Sequence, residues 1–495
     1  MPWPKTLKFW FAVLISLTLV PIGGVLGQDL PGSGWWSGEQ VQNVGSAAAT
    51  ITIVAYDTAS SATYVATSPT SIAPGASITF LPSNFSGMPA GFSGSAILSS
   101  DQPMKAIANI TNQLTGGLGI AGGKAAAQYQ GTESAATTLY FPLVKNNRYG
   151  STTAFYLQNV GTSSSTAAAT FRMDNGSTYN YTTPAISPNQ RLVVLPDDAG
   201  VPSNPSDGTR VNIGSLTITS AQPLAGTVLE FKVGEEIATV LKGSRAFTPA
   251  QVDSKAFAPV VKNSRFNRFT GIQVLNVAGS PIDVSITYVG SANVPGCKDV
   301  TFVDSATGVA AGTSRTFVQL PGKTNLVSNC TAAATIEATG SFVAIVNEDN
   351  SAGGTAAGIM YSAIPSNSVT TKVSAPLFKD QRYGFSTGLQ IQNVGPGTAT
   401  NVVATFQCKG NNGANVPFTA ISNAQSITSG GAFLFLRPSS MPPGTFTPGN
   451  PFSMSGANCG VTITSDQPIV AILNESPDTP GALDDNNYEG FNLSP

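Results

Sequence analysis

The sequence predicts an all-β protein: a tandem array of four two-sheet β-sandwich domains behind an N-terminal signal peptide. The first observation is a long internal period. Phe141-Pro-Leu-Val-Lys-Asn-Asn-Arg-Tyr-Gly150 returns as Ala258-Pro-Val-Val-Lys-Asn-Ser-Arg-Phe266 and again as Ala375-Pro-Leu-Phe-Lys-Asp-Gln-Arg-Tyr-Gly384. Lys145, Lys262 and Lys379 are 117 residues apart, and so are Arg148, Arg265 and Arg382. A fourth, shorter copy, Glu39-Gln-Val-Gln-Asn-Val-Gly45, matches Phe155-Tyr-Leu-Gln-Asn-Val-Gly161 at 116 residues. A fixed period of this length marks an array of similar units. The second observation is that each period holds short alternating apolar runs separated by turn residues, without a helical period after the leader. The expected boundaries are 1–27 for the signal peptide, then 28–137, 138–253, 254–371 and 372–495, here called repeats one to four.

Repeat two shows the elements in order. Leu139, Phe141 and Leu143 alternate in a first strand. Pro142 and Lys145 suit a sheet edge, because proline lacks a ladder donor and lysine resists pairing with a second chain. Ala154–Leu157 is the second strand, closed by Asn159-Val-Gly161, where Gly161 is expected to take positive φ. Ala167–Met173 alternates again, and Ile186-Ser-Pro-Asn189 turns the chain into Leu192–Leu195. Ser215–Thr219 and Leu224–Phe231 flank Ser220-Ala-Gln-Pro223, a hairpin or bulge, and Ala238–Leu241 ends the unit. Such a succession fits a two-sheet sandwich, and the array is expected to stand in line as a rod.

Composition excludes several classes. Charged residues are 10% of the chain, against ~25% in ordinary soluble domains, so Ser, Thr, Asn and Gln must form the polar surface. The formal charge is −2, which leaves no basic field for nucleic acid. Lys5 and Lys8 precede the apolar run Phe9–Val20, Pro21 breaks it, and Val25-Leu-Gly27 offers a cleavage site. That layout is a secretory leader, processed after Gly27. The competing reading, an uncleaved anchor, needs about 20 apolar residues. Cleavage would remove two of the 24 basic residues, leaving 22 against 26 acidic. The mature protein is expected to be secreted or at the cell surface, with no membrane span.

The Asn-Val-Gly turn, the small-residue strand Thr398-Ala-Thr-Asn-Val-Val-Ala404 and turns such as Ile72-Ala-Pro-Gly-Ala-Ser77 together resemble bacterial extracellular immunoglobulin-like repeats of the adhesion-related CARDB type. Repeats three and four depart from the Pro-Gly form of the last turn (Val309-Ala-Ala-Gly-Thr-Ser314 and Ile427-Thr-Ser-Gly-Gly431). The resemblance implies immunoglobulin-like sandwiches with a binding or structural surface role, and it carries over no catalytic residue.

Four cysteines lie in the last two repeats. An exported chain favours the disulfides Cys297–Cys330 and Cys408–Cys459. A metal site would need closer spacing. Arg148-Tyr149, Arg265-Phe266 and Arg382-Tyr383 fall between the first two strands. They read either as tips that contact sugars or proteins, or, preferred on sequence, as packing against the previous domain. Trp35 and Trp36 read as core filling rather than a contact patch. The acidic pairs Asp197-Asp198, Glu348-Asp349 and Asp484-Asp485 match no calcium loop and read as solvated turns. The Asn-x-Ser/Thr triplets, such as Asn84 and Asn474, carry no assigned role.

The chain has no histidine, which removes Ser-His-Asp, Cys-His and His-metal chemistry. A carboxylate pair of the glycosidase kind survives only formally, so the protein is not expected to be an enzyme or to carry a cofactor. Its expected partners are cell-surface proteins or glycans. Repeat one lacks the Pro-Leu-Val-Lys strand, so its sheet edge should be open. Either residues 28–36 cover that edge, or it accepts a strand from another copy and the protein self-associates into fibres. Two functions follow: a structural or adhesive surface array, or a carbohydrate-binding accessory protein using loop aromatics.

Overall fold

In a computed structural model the chain is described at residues 9–13, 30–60, 62–115, 117–203, 208–292, 294–298, 300–350, 358–410, 417–435, 455–479 and 484–493. The expected cleavage site after Gly27 lies outside these residues. Regular structure among them is all strand apart from four single-turn 3-10 segments. Among the described residues no helix is long and apolar enough to cross a membrane.

Repeat two shows how the strands are shared between layers. The strand Ile213–Lys232 runs the length of the unit. Its first half pairs with Ala167–Met173 on one side and Ala136–Lys145 on the other. Its second half pairs with Ser151–Asn159 and with the closing strand Leu241–Arg245. Ser220–Pro223 is therefore not a hairpin. It is the point where one strand leaves the first layer and enters the second. Cys330–Asn350 and Ala457–Pro477 do the same in repeats three and four, while in repeat one the path divides into Gly94–Ser100 and Met104–Thr111. Between the layers the rings Phe141, Phe155 and Phe171 stack edge to face at 4.9 and 6.1 Å, burying large apolar area in a preferred geometry.

The Asn of the Asn-Val-Gly turn is a buried clamp. Asn159 Nδ2 donates to Ser163 O and Ile186 O, each at 2.8 Å, and its Oδ1 accepts from Gly161 N. Asn43, Asn276 and Asn393 make the same three bonds. One side chain thus ties two turns about thirty residues apart, which is why the residue recurs. Gly161 does not take positive φ. A Cβ there would strike the Gln222 side chain, as one at Gly45 would strike Gln102. Close approach, not dihedral freedom, calls for glycine.

The repeats do not stand in line. Three of the four reach back to a proline carbonyl on the first strand of the one before: Ser314 to Pro142 O, Gln390 to Pro259 O, and Gln40 of repeat one to Pro376 O of repeat four. The last contact closes a ring. Four closing strands, Ala126–Gln130, Leu241–Arg245, Ile359–Ser362 and Asn486–Glu489, meet in cyclic order around its axis. Asp484 sits on that axis, fully buried. Its carboxylate accepts from Leu241 N at 2.9 Å, Gly358 N at 3.1 Å and Ala126 N at 3.4 Å, one from each of the other repeats. A rod would leave these strand starts and the apolar faces of the closing strands in water.

Two further expectations change. The recurrent lysines do not guard edges: Lys145, Lys262 and Lys379 pair with buried Glu230, Glu348 and Glu475 at 2.8, 3.0 and 2.8 Å. Of the acidic pairs, Asp197-Asp198 is an exposed turn as expected, with Asp197 accepting from Asn146 and Asp198 from Leu195 N. The other two are not solvated: Glu348 and Asp484 are buried, Asp349 meets Lys242, and Asp485 meets Arg268.

The missing first strand of repeat one has a substitute. Phe9–Val13 pairs antiparallel with Ser100–Ala96, the positions that take Thr138–Phe141 in repeat two. Residues 30–36 do not cover this edge. Leu30 and Trp35 enter the core, and Gly32 packs against Glu236 and Ala238 of repeat two.

Replacing Asp484 with Ala strands three backbone donors. At about 1 kcal/mol or more for each buried unsatisfied group, stability should fall by roughly 3 kcal/mol, with Asp484→Asn, which keeps one acceptor, in between. Calorimetric unfolding of the three proteins measures this, and equal melting temperatures would remove Asp484 from its role in closure.

Candidate functional site

The Arg-aromatic loops stand at the end of the ring where the closing strands begin, because Ser151 pairs with Lys232 and Phe231 with Leu241. In repeat two, Arg148 N and O exchange hydrogen bonds with Ser151 O and N at 2.8 and 3.0 Å. Only Tyr149 and Gly150 lie between, at φ 51° and 77°. That is a two-residue hairpin with both central residues left-handed, a geometry that favours Asn-Gly. Repeat four repeats it at Tyr383-Gly384, φ 55° and 78°, and repeat three at Phe266-Asn267, φ 54° and 57°. A bulky residue in this region costs on the order of 1–3 kcal/mol. Three rings held there are three copies of the same strain.

The strain exposes the ring. Tyr149, Phe266 and Tyr383 are 69%, 70% and 61% exposed, so packing against the preceding domain, the reading preferred on sequence, is not what forms. The arginine packs instead, against its own ring, with the guanidinium 4.6, 4.6 and 4.4 Å from the ring centre. Each guanidinium is pinned from below: Arg148 to Asn212, Arg265 to Asn329 and Arg382 to Gly456 O. The result is a rigid aromatic face on a charged support. Trp35 is buried in the core, while Trp36 is half-buried beside the junction of repeats four and one, its indole N–H donating to Gln113 O at 3.0 Å. Both disulfides form, Cys297–Cys330 and Cys408–Cys459, away from the tips in sequence and each within one repeat.

Repeat one has no tip, and its substitutions follow from that. Where the other repeats carry Glu230, Glu348 and Glu475, the strand register places Ile110, so no buried carboxylate waits for the absent lysine. Where they carry Thr153, Thr270 and Thr387, whose hydroxyls accept from the first-strand lysine N–H, stands Ser37. Its hydroxyl donates to Glu39 at 3.3 Å. Glu39 occupies the core position of Phe155, Ile272 and Leu389, is 1% exposed, and leaves Oε2 without a partner. Burial pushes its pKa up to about 8, against the pull of the Ser37 hydroxyl. Reading the four copies of the turn side by side would have shown a carboxylate where three apolar residues stand.

No family model matches the chain, and no curated protein matches it. Several solved structures match, three of which follow. One is a Thermotoga maritima protein numbered 1070, at 20% identity over 23% of this chain and 95% of the other, TM-score 0.19. Another is a glycoside hydrolase family 32 structure from Bifidobacterium adolescentis, at 9% identity over 90% and 98%, TM-score 0.15. The third is a tetra-tandem repeat from the extending region of a large adhesion protein, at 11% identity over 98% and 99%, TM-score 0.11. At these scores none carries an argument about fold or function.

Glu39 makes stability depend on pH. Its folded pKa is raised, so its contribution is fully present below about 4.5 and is lost as pH rises through about 8. Between pH 5 and 8 that is roughly 3 kcal/mol by linkage. Glu39→Gln, which keeps the shape without the charge, should flatten the curve. Denaturant unfolding at several pH values tests it, and an identical slope in both proteins would place the titrating group elsewhere.

Proposed function

We propose that the chain is a secreted or cell-surface structural and adhesive protein that works without catalysis. Four immunoglobulin-like sandwiches, closed into a ring, present aromatic tips to cell-surface proteins or glycans. The observation that carries this reading is the threefold left-handed hairpin that holds Tyr149, Phe266 and Tyr383 out on supporting arginines. Strain of that kind persists where a function uses it, and exposed aromatic rings are favoured binding anchors. Several tips on one rigid body also act together, so weak single contacts can sum to firm attachment. Two disulfides, and the absence of a long apolar helix among the described residues, are compatible with an extracellular protein.

The second reading, a carbohydrate-binding accessory protein, is favoured by the same rings, whose flat faces suit the apolar side of a sugar. Self-association is the third element of the proposal. If the leader is removed, Ala96–Ser100 loses its strand partner and offers an edge to another chain. Light scattering of the mature protein reads this directly, and a strict monomer at high concentration would end it.

Changing Tyr149, Phe266 and Tyr383 together to Asn gives each hairpin the residue its geometry prefers. Stability should hold or rise by a few tenths of a kcal/mol per site, while binding to cell surfaces falls at least tenfold. Binding that stays intact in a folded triple variant would refute the tip reading.

A further inference from the structure

The ring has four junctions built on the same strands, and they are not closed in the same way. Between repeats two and three, Lys242 crosses the gap. Its Nζ bonds Glu230 at 3.2 Å within its own repeat, and Asn347 at 2.8 Å and Asp349 at 2.5 Å in the next. Glu230 is fully buried; burial alone would raise its pKa, but Lys145 and Lys242 outweigh it and hold the carboxylate below the usual range. That junction is plugged by an ion network. Between repeats three and four the corresponding residue is Ile359, buried and apolar.

Between repeats four and one the plug is absent. Register places Asn486 where Lys242 stands, Asn109 where Asn347 stands, and Thr111 where Asp349 stands. A shorter neutral side chain replaces the lysine, and a cleft of about 500 Å³ remains. That is within the ~300–1,000 Å³ of small-ligand sites. Trp36 and the exposed tip residue Tyr383 line it, with Leu81 adding an apolar wall. Lys379 and Glu475 are also there, but they neutralise each other at 2.8 Å. Six side-chain amides complete the walls, and in four of them the buried oxygen, Asn109 Oδ1, Gln128 Oε1, Asn458 Oδ1 or Asn486 Oδ1, lacks a donor. A buried acceptor left unpaired costs free energy that a hydroxyl donor would recover.

We infer that this cleft binds a neutral sugar unit of a glycan, with Trp36 and Tyr383 against its apolar face and the amides of Asn109, Gln128, Asn458 and Asn486 receiving its hydroxyls. The inference rests on the glycan arm of the proposed function and assigns it one site. Rings alone would accept any flat apolar group; unpaired amide acceptors and no net charge select an uncharged polyol. An anionic sugar would find only a lysine already paired.

The decisive variant is Asn486→Lys, which restores the plug that repeat two uses, opposite a glutamate in the same place. The full-length protein and the variant are screened against an array of neutral and sialylated oligosaccharides, and the strongest neutral oligosaccharide is titrated by calorimetry. The expected result is affinity lost at least tenfold in Asn486→Lys, with the melting temperature unchanged or higher. Asn109→Leu, of similar size and without an amide, should weaken binding in the same direction should the lysine variant fold poorly. Unchanged affinity in both variants, while the triple tip variant loses it, would overturn the cleft and leave the tips standing. Preference for sialylated glycans, or no glycan binding by the full-length protein, would also overturn it.

Discussion

The structure depends on closure. Repeats three and four each spend a side chain on a proline carbonyl of the repeat before, and the first repeat does so on the last. In a row, one such acceptor would stay open at one end and one donor at the other. In a ring, both are used, and four closing strands gain an interior that no single sandwich provides. Asp484 shows how far the interior relies on this. It is one residue of one repeat, yet it receives backbone donors from the other three. Burial raises its pKa well above the ordinary carboxylate value, against the backbone N–H bonds that favour the ionised form. A carboxyl group in that position is compatible with water exclusion only while every neighbour is in place.

Repeat one is the informative exception because its changes are coupled. It lacks the first-strand lysine, and the glutamate that would receive that lysine is Ile110. Its neighbour changes too. Gln273 and Gln390 of later repeats, like Gln40, reach across their junctions to backbone oxygens of the preceding repeat. The corresponding residue of repeat two is Tyr156, buried in the core cluster of repeat one. Where no first-strand carbonyl stands opposite, an aromatic ring fills the space instead of an amide. Tyr129, by contrast, keeps the position from which Tyr361 and Tyr488 bond the first-strand backbone at Val260 and Leu377. The unit has lost a charge pair and kept part of the socket.

What the sequence made legible was whatever is local or repeated. Asn159, Asn276 and Asn393 advertised a turn by recurring before Val-Gly or, at Asn276, Val-Ala, and the cysteines were paired correctly because each pair lies within one unit. Pro142, which has no N–H to give, falls in the register shift between Gly214 and Leu216. Signs of charge misled, since Lys145 and Asp484 look like surface residues until the partner is known. That partner lies 85 residues away for Lys145 and as far as 358 for Asp484. Closure itself left no local trace, because the groups that make it, a serine, two glutamines and backbone carbonyls, look like any other polar residues in a chain with few charges. The tips were found by their spacing but misread, since a left-handed tyrosine cannot be told from a packed one until its φ is known.

A ring of copied units is symmetrical only until the chain has to begin and end. Three of its junctions join repeats that are consecutive in the sequence; the fourth joins the two that are farthest apart. At that seam the residues on either side answer to different neighbours, and the plug that closes the junction of repeats two and three has been replaced by Asn486. A cleft lined with amides and with the rings of Trp36, Tyr383 and Phe385 therefore stands at the one junction where the symmetry of the copies does not dictate the filling, which is where a ligand site can arise without disturbing the other three.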